Sequence, residues 1–225
     1  LVGSEMCIRD RTRHALVAGL FADLVGILSA VFFCQLFFAE SIASSSHDHE
    51  IDVVNIQELD PTILVDLRYS SKNNFLKKDM YGDLEECFLR RKPAEMLCQA
   101  NEHLKASHPE LRLLVFDGLR TRSVQKKLWD ALDTIPVSLR TQFVADPKKG
   151  SIHNYGAAVD LTLALENGSE LDMGTEYDHF GELAFPALED SLLALGKLTD
   201  KQIKNRTILR KVMTKAGFST IDSEW

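Results

Sequence analysis

The sequence predicts an α+β domain, with helices packed on a mostly antiparallel sheet. Strand-like apolar runs and helix-period segments are mixed along the chain, they do not alternate as regular βαβ units, and no Gly-rich loop joins a strand to a helix. The last two features disfavour a dinucleotide or nucleotide fold. With 225 residues and 45% hydrophobic content the chain can bury a core of its own.

Residues 1–11 (LVGSEMCIRDR) lack the n-region pattern of a leader and read as translated adapter sequence joined to the reading frame. Residues 12–43 read as a signal peptide. Arg13 and His14 precede an uncharged run from Leu24 to Phe38, and the small residues Ser41 and Ala43 place cleavage after Ala43. The competing reading is a retained anchor, because the apolar region stretches toward the roughly 20 residues of a membrane span. Cys34 follows Phe32 and Phe33, bulky residues that do not suit a lipid-attachment box. Residues 44–51 form a polar linker, and 52–225 the folded domain.

Within that domain, strands are expected at Ile63–Val65, Leu113–Phe116 and Ala157–Leu163. A helix from Pro93 to Ser107 opens on a residue suited to a first turn and carries Leu97, Cys98, Asn101 and Leu104 on one face. A second, Ser123 to Leu132, aligns Val124, Leu128 and Leu132. A third, Asp200 to Lys215, starts at a Thr199/Asp200 cap and stops at Gly217.

Charge narrows the partners. Of 33 acidic and 26 basic residues, 29 and 23 fall in 44–225. A mildly acidic domain without a Lys/Arg run is poorly suited to phosphate backbones, so nucleic acid is not expected. Cys87 and Cys98 remain in the exported domain, where a disulfide or two small buried thiols are both open.

The densest chemistry lies in Ser151-Ile152-His153-Asn154-Tyr155-Gly156-Ala157-Ala158-Val159-Asp160. An apolar strand carries Asp160 inward, where a lone carboxylate is costly and a cation would offset it. Imidazole and carboxylate are standard zinc ligands, and hydrolytic zinc sites add a third protein ligand and keep one position for water. Arg120 follows the strand Leu113–Phe116 in Asp117-Gly118-Leu119-Arg120, where a permanent cation can face an oxyanion. Glu224, near the end of the chain, is a candidate general base.

Together these segments resemble the zinc D-alanyl-D-alanine dipeptidases of peptidase family M15, relatives of D,D-carboxypeptidases and hedgehog-like domains. The resemblance spans about residues 52–225 and includes Asp66-Leu67-Arg68-Tyr69, Asn74-Phe75, Cys87 to Arg91, Leu171 to Thr175, Tyr177-Asp178 and Gly217-Phe218. It implies one zinc ion held by His153 and Asp160, Glu224 as catalytic base and Arg120 as the transition-state arginine. Tyr69, Ser151 and Asp178 would line the dipeptide pocket, Asp178 facing the substrate ammonium. The expected substrate is a small D-amino-acid dipeptide, acted on in the periplasm or outside the cell. Export favours D-Ala scavenging or wall recycling over antibiotic resistance.

Two departures from the family pattern are visible. Thr121 stands where Pro usually follows the arginine, a change expected to loosen that turn. The family's Glu-x-x-His would place a third zinc ligand beyond Trp225, so the sequence reads as a fragment expected to hold zinc weakly. His179, beside Asp178, is the local substitute to consider. The alternatives are a peptidoglycan D,D-carboxypeptidase or endopeptidase on the same fold, and a non-catalytic hedgehog-like module. Base and arginine argue against the last.

Overall fold

The computed structural model describes residues 5–7 and 52–225. The expected export segment and linker lie outside the described residues. In chain order the elements are β1 (Glu5–Cys7), β2 (Val53–Asn55), α1 (Ile56–Leu59), β3 (Leu64–Val65), β4 (Phe88–Arg90), α2 (Arg91–Ser107), β5 (Leu111–Asp117), α3 (Arg122–Asp130), β6 (Ala158–Leu165), α4 (Glu189–Ala194) and α5 (Asp200–Lys215). The main sheet has the order β1-β6-β5-β3, antiparallel except for the β3–β5 pair, and β2 and β4 form a separate antiparallel pair. The mixed helix-and-sheet architecture agrees with the expectation. Among the described residues no helix is long and apolar enough to cross a membrane.

The N-terminal segment read as foreign contributes β1, whose backbone pairs with β6 with Glu5 opposite Asp160. An edge strand presents unpaired N–H and C=O groups, a template on which an extended segment can pair whatever its origin.

The three long helices form where their periodicity places them. On α2, Ala94, Leu97, Ala100 and Leu104 are fully buried, and the polar Asn101 among them is saturated. Its amide donates to Asp60 Oδ2 at 2.8 Å and Thr62 Oγ1 at 2.9 Å, tying the helix to the turn before β3. α5 opens on Thr199, which accepts from Gln202 N while Gln202 Oε1 accepts from Thr199 N, a reciprocal capping box. α3 ends at Asp130, short of the expected Leu132, yet Leu132 still packs with Leu128 in a second apolar cluster.

β5 and β6 carry the site. Their pairing is regular from Leu111 opposite Leu165 to Val115 opposite Leu161, then shifts so that Asp117 faces Asp160. Phe116 is the extra residue of a β-bulge; without it Asp117 would lie opposite Val159. Cys87 and Cys98 are both free thiols. Burial pushes the Cys98 thiol up to about 11 and raises that of Cys87 well above its ordinary value, so neither is a ready nucleophile.

Candidate active site

His153 is positioned by a short 3-10 turn, Ile152–Tyr155, between α3 and β6. Ser151 Oγ accepts the His153 N–H at 3.3 Å, and Asn154 Oδ1 accepts the Ser151 N–H at 2.8 Å, so Ser151 shapes the turn from its N-terminal side. Gly156 closes it with φ 60°, the left-handed region in which a side chain is strained. Two backbone bonds lash the turn to its surroundings: Arg120 N to His153 O at 3.1 Å and Arg90 N to Gly156 O at 2.9 Å.

The imidazole is fully buried and its Nδ1 lies 2.8 Å from the carbonyl of Gly118. A carbonyl only accepts, so Nδ1 carries the proton and Nε2 is left as the ligand atom. Nε2 faces Asp160 Oδ1 at 3.5 Å. Two ligand atoms of one tetrahedral zinc stand about 3.4 Å apart for bond lengths near 2.05 Å, so the pair fits a shared metal ion. Among the described residues one cluster of potential metal ligands is present: His153, Asp160 and, with every donor atom within 4.8 Å of the others, Asp117.

Arg120 is buried beside this pair, its Nη2 4.0 Å from Asp160 Oδ2. Burial opposes the guanidinium charge, but Asp117 and the phenols of Tyr81, Tyr69 and Tyr177 hold its pKa well above the ordinary value. The turn after it is firm. Thr121 adopts φ −65°, the angle a proline would impose, and its hydroxyl accepts from Val124 N at 3.3 Å as the N-cap of α3. The expected loosening is thus countered by a cap that proline, which has no side-chain acceptor, cannot make.

Tyr69 and Asp178 meet behind the arginine. The fully buried Tyr69 lies 3.3 Å from Asp178 Oδ2 through its hydroxyl, while the Arg120 guanidinium carbon stands 5.2 Å from the centre of its ring. Asp178 has φ 59°, unusual for a residue with a side chain. Burial, reinforced by the charge of Asp160, raises its carboxyl to about 8. It borders a polar cavity of about 360 Å³ together with Arg68, Asn74, Phe75, Tyr177 and His179. Tyr69 therefore reaches that space through Asp178, not directly. His179 is exposed and stands outside the His153 cluster.

Glu224 is 4% exposed and shares a narrow cleft with Tyr177, Asp178 and Trp225. Tyr177, which lines the same cleft, donates to Asp160 Oδ2 at 3.1 Å. Trp225 Nε1 donates to Thr175 Oγ1 at 2.6 Å, tying the C-terminal turn to the segment that carries Asp178. Tyr81, Asp117, Gln125 and Tyr177 were not assigned roles from sequence. Asp117 had the clearest signal, three residues ahead of Arg120.

The model of the D-Ala-D-Ala dipeptidases, peptidase family M15, matches residues 49–225. The chain belongs to this family. A D-alanyl-D-alanine dipeptidase of Escherichia coli K12 is 30% identical over 174 residues, covering 77% of this chain and 82% of that protein. Relatives with the same description from Enterococcus faecium and Synechocystis are 26% and 27% identical, covering 78% and 61% of this chain and 90% and 66% of their own lengths. Family membership makes the protein a peptidase, and the cluster at the β5–β6 bulge is its candidate site.

Proposed function

We propose that the protein is an exported zinc dipeptidase acting on D-alanyl-D-alanine and related dipeptides. The observation that carries this reading is the buried His153–Asp160 pair, 3.5 Å apart, with the Arg120 guanidinium 4.0 Å from Asp160. A purely structural metal site has no use for the arginine.

In this reading His153 Nε2 and Asp160 hold the zinc ion, which supplies Lewis acidity to the scissile carbonyl and acidifies the attacking water. Arg120 offsets the negative charge that develops on the carbonyl oxygen. Glu224 takes the proton of the attacking water and returns it to the departing amine. Asp178 receives the substrate ammonium, an arrangement that selects a free amino terminus and so favours a dipeptidase over an endopeptidase. Tyr69 orients Asp178, and Ser151 holds the turn of His153 at the edge of the substrate space. Action outside the cytoplasm follows if residues 12–43 are an export signal, and suits D-Ala scavenging or wall recycling.

The test is turnover of D-Ala-D-Ala against an amino-blocked tripeptide ending in D-Ala-D-Ala. Free dipeptide is the expected substrate; preference for the blocked tripeptide would move the protein to the carboxypeptidases.

A further inference from the structure

We propose that Tyr81 and Asp117 are a positioning pair that aims the Arg120 guanidinium, and that Asp117 is not a metal ligand although its carboxylate lies within reach of His153 and Asp160. The proposal rests on the dipeptidase reading of Arg120 and extends it to residues that reading leaves unused.

The bonding of Asp117 decides between ligand and positioning roles. Its carboxylate is fully buried. Oδ1 accepts from Tyr81 Oη at 2.5 Å and from Gly118 N at 2.9 Å. Oδ2 accepts from Arg120 Nε at 3.0 Å and also from Arg120 Nη2. A carboxylate offers about four lone-pair sites, and four donors fill them. Coordinating a metal would displace at least one donor and strand it in the interior, at the full desolvation penalty of that group.

The same bonds constrain the arginine. Asp117 takes two of its five N–H groups, and Gln125 Oε1 takes one from Nη1 at 3.2 Å. Gln125 is anchored in turn, its amide donating to Ala145 O at 2.8 Å. Asp117 and Gln125 leave one N–H on each terminal nitrogen that neither takes, and the Tyr81 phenol also stands within reach of the guanidinium. The β-bulge at Phe116 matters here, since it turns Asp117 toward Asp160 and lets the arginine bridge toward both carboxylates. Tyr81 reaches Asp117 from a segment 36 residues earlier and holds Oδ1 while the guanidinium holds Oδ2. A displacement of about 1 Å at a transition-state group can cost on the order of a hundredfold in rate, so a support of this kind has a measurable consequence.

The experiment compares Asp117→Asn and Tyr81→Phe, each alone and combined with Arg120→Ala, by three readouts: kcat and KM on D-Ala-D-Ala, zinc affinity by competition with a chromogenic chelator, and hydrogen exchange of the Arg120 Nε proton by NMR. Asp117→Asn should lower kcat about 10- to 100-fold with little change in KM, and Tyr81→Phe should lower it less. Neither should change zinc affinity more than about twofold, and neither should reduce activity further once Arg120 is Ala. The Nε proton should exchange faster in both single variants. A tenfold or larger loss of zinc affinity in Asp117→Asn, or full additivity with Arg120→Ala, overturns the proposal. If Asp117→Asn does not fold, Tyr81→Phe decides by the same criteria. If the unsubstituted protein fails to cleave D-Ala-D-Ala in saturating zinc, the dipeptidase reading falls and the exchange measurement still decides the positioning role: unchanged Nε exchange in Tyr81→Phe rejects it.

Discussion

The hydroxyl of Tyr177 donates to Asp160 Oδ2 at 3.1 Å, while the other oxygen of the same carboxylate faces His153 Nε2 at 3.5 Å. The residue next to Asp178 thus supports the proposed metal pair, and in the proposed mechanism its side chain would join substrate recognition to metal binding. Tyr177→Phe keeps the ring packing against Phe116, at 5.1 Å between centroids, and removes only the hydroxyl. Outer-shell hydrogen bonds of this kind are worth about 10- to 100-fold in metal affinity or activity. The variant should bind zinc about tenfold more weakly in chelator competition, and chelation should inactivate it sooner than the unsubstituted protein. Equal affinity would detach Tyr177 from the metal pair.

Glu224→Ala separates the proposed base from the ligands. Glu224 lines a cleft with Tyr177 and stands outside the ligand cluster, so its loss should leave zinc affinity unchanged while turnover falls by at least about 100-fold. Retained turnover would remove Glu224 from the mechanism.

Gly118 is where β5 leaves the sheet against β4. A Cβ there would lie 2.5 Å from Cys87 Sγ and 2.8 Å from the carbonyl of Phe88, which already accepts the Leu119 N–H at 2.8 Å. Gly118→Ala should destabilise the protein by about 1–3 kcal/mol in denaturant unfolding. Adding Cys87→Ala removes one of the two clashes, so it should recover part of that loss; full recovery would show that the backbone approach is not limiting.

Arg206 is fully buried on α5 and pins the segment that leads to Asp178. Its Nε donates to Met173 O at 2.6 Å, its Nη2 to Leu183 O at 2.9 Å, and its Nη1 to Glu189, which Arg210 also grips through both carboxylate oxygens. Arg206→Met leaves the buried Met173 carbonyl and the half-buried Leu183 carbonyl without this donor and removes one of the two arginines that compensate Glu189. The expected loss is about 3 kcal/mol of stability, with KM for dipeptide rising more than kcat falls because the Asp178 segment loses its anchor. A change in kcat alone would contradict the anchoring role.

The parts of this fold readable from sequence are those governed by local rules. The spacing of Leu97, Asn101 and Leu104 and the start of α5 at Thr199/Asp200 are properties of single helices, and the structure has both. The His153–Asp160 spacing is likewise local, set by one turn and one strand. The support of Arg120 is not. It depends on a bulge at Phe116, which the pairing of β5 with a strand more than 40 residues away defines, and on Tyr81, which lies in a segment without periodicity. The placement of Tyr69 behind Asp178 joins residues 109 positions apart and has no sequence spacing to betray it.

Asp178 makes the pH behaviour of the metal-free protein testable. Burial raises its carboxyl to about 8, against 3.8 for an ordinary aspartate. Between those values the native state holds a proton that the unfolded chain has released, so stability declines as pH rises from about 4 to 8 and levels off above. Asp178→Asn removes the titration, tolerates the left-handed backbone at this position and leaves an oxygen to accept from Tyr69. In the chelator-treated protein the variant should show a flatter decline of melting temperature across this window and a higher value than the parent at pH 8. The same substitution should raise KM for D-Ala-D-Ala by at least about tenfold, because a neutral amide replaces the carboxylate that would meet the substrate ammonium. A parallel pH profile for parent and variant would mean that the Asp178 carboxyl already ionises in the native state near its ordinary value.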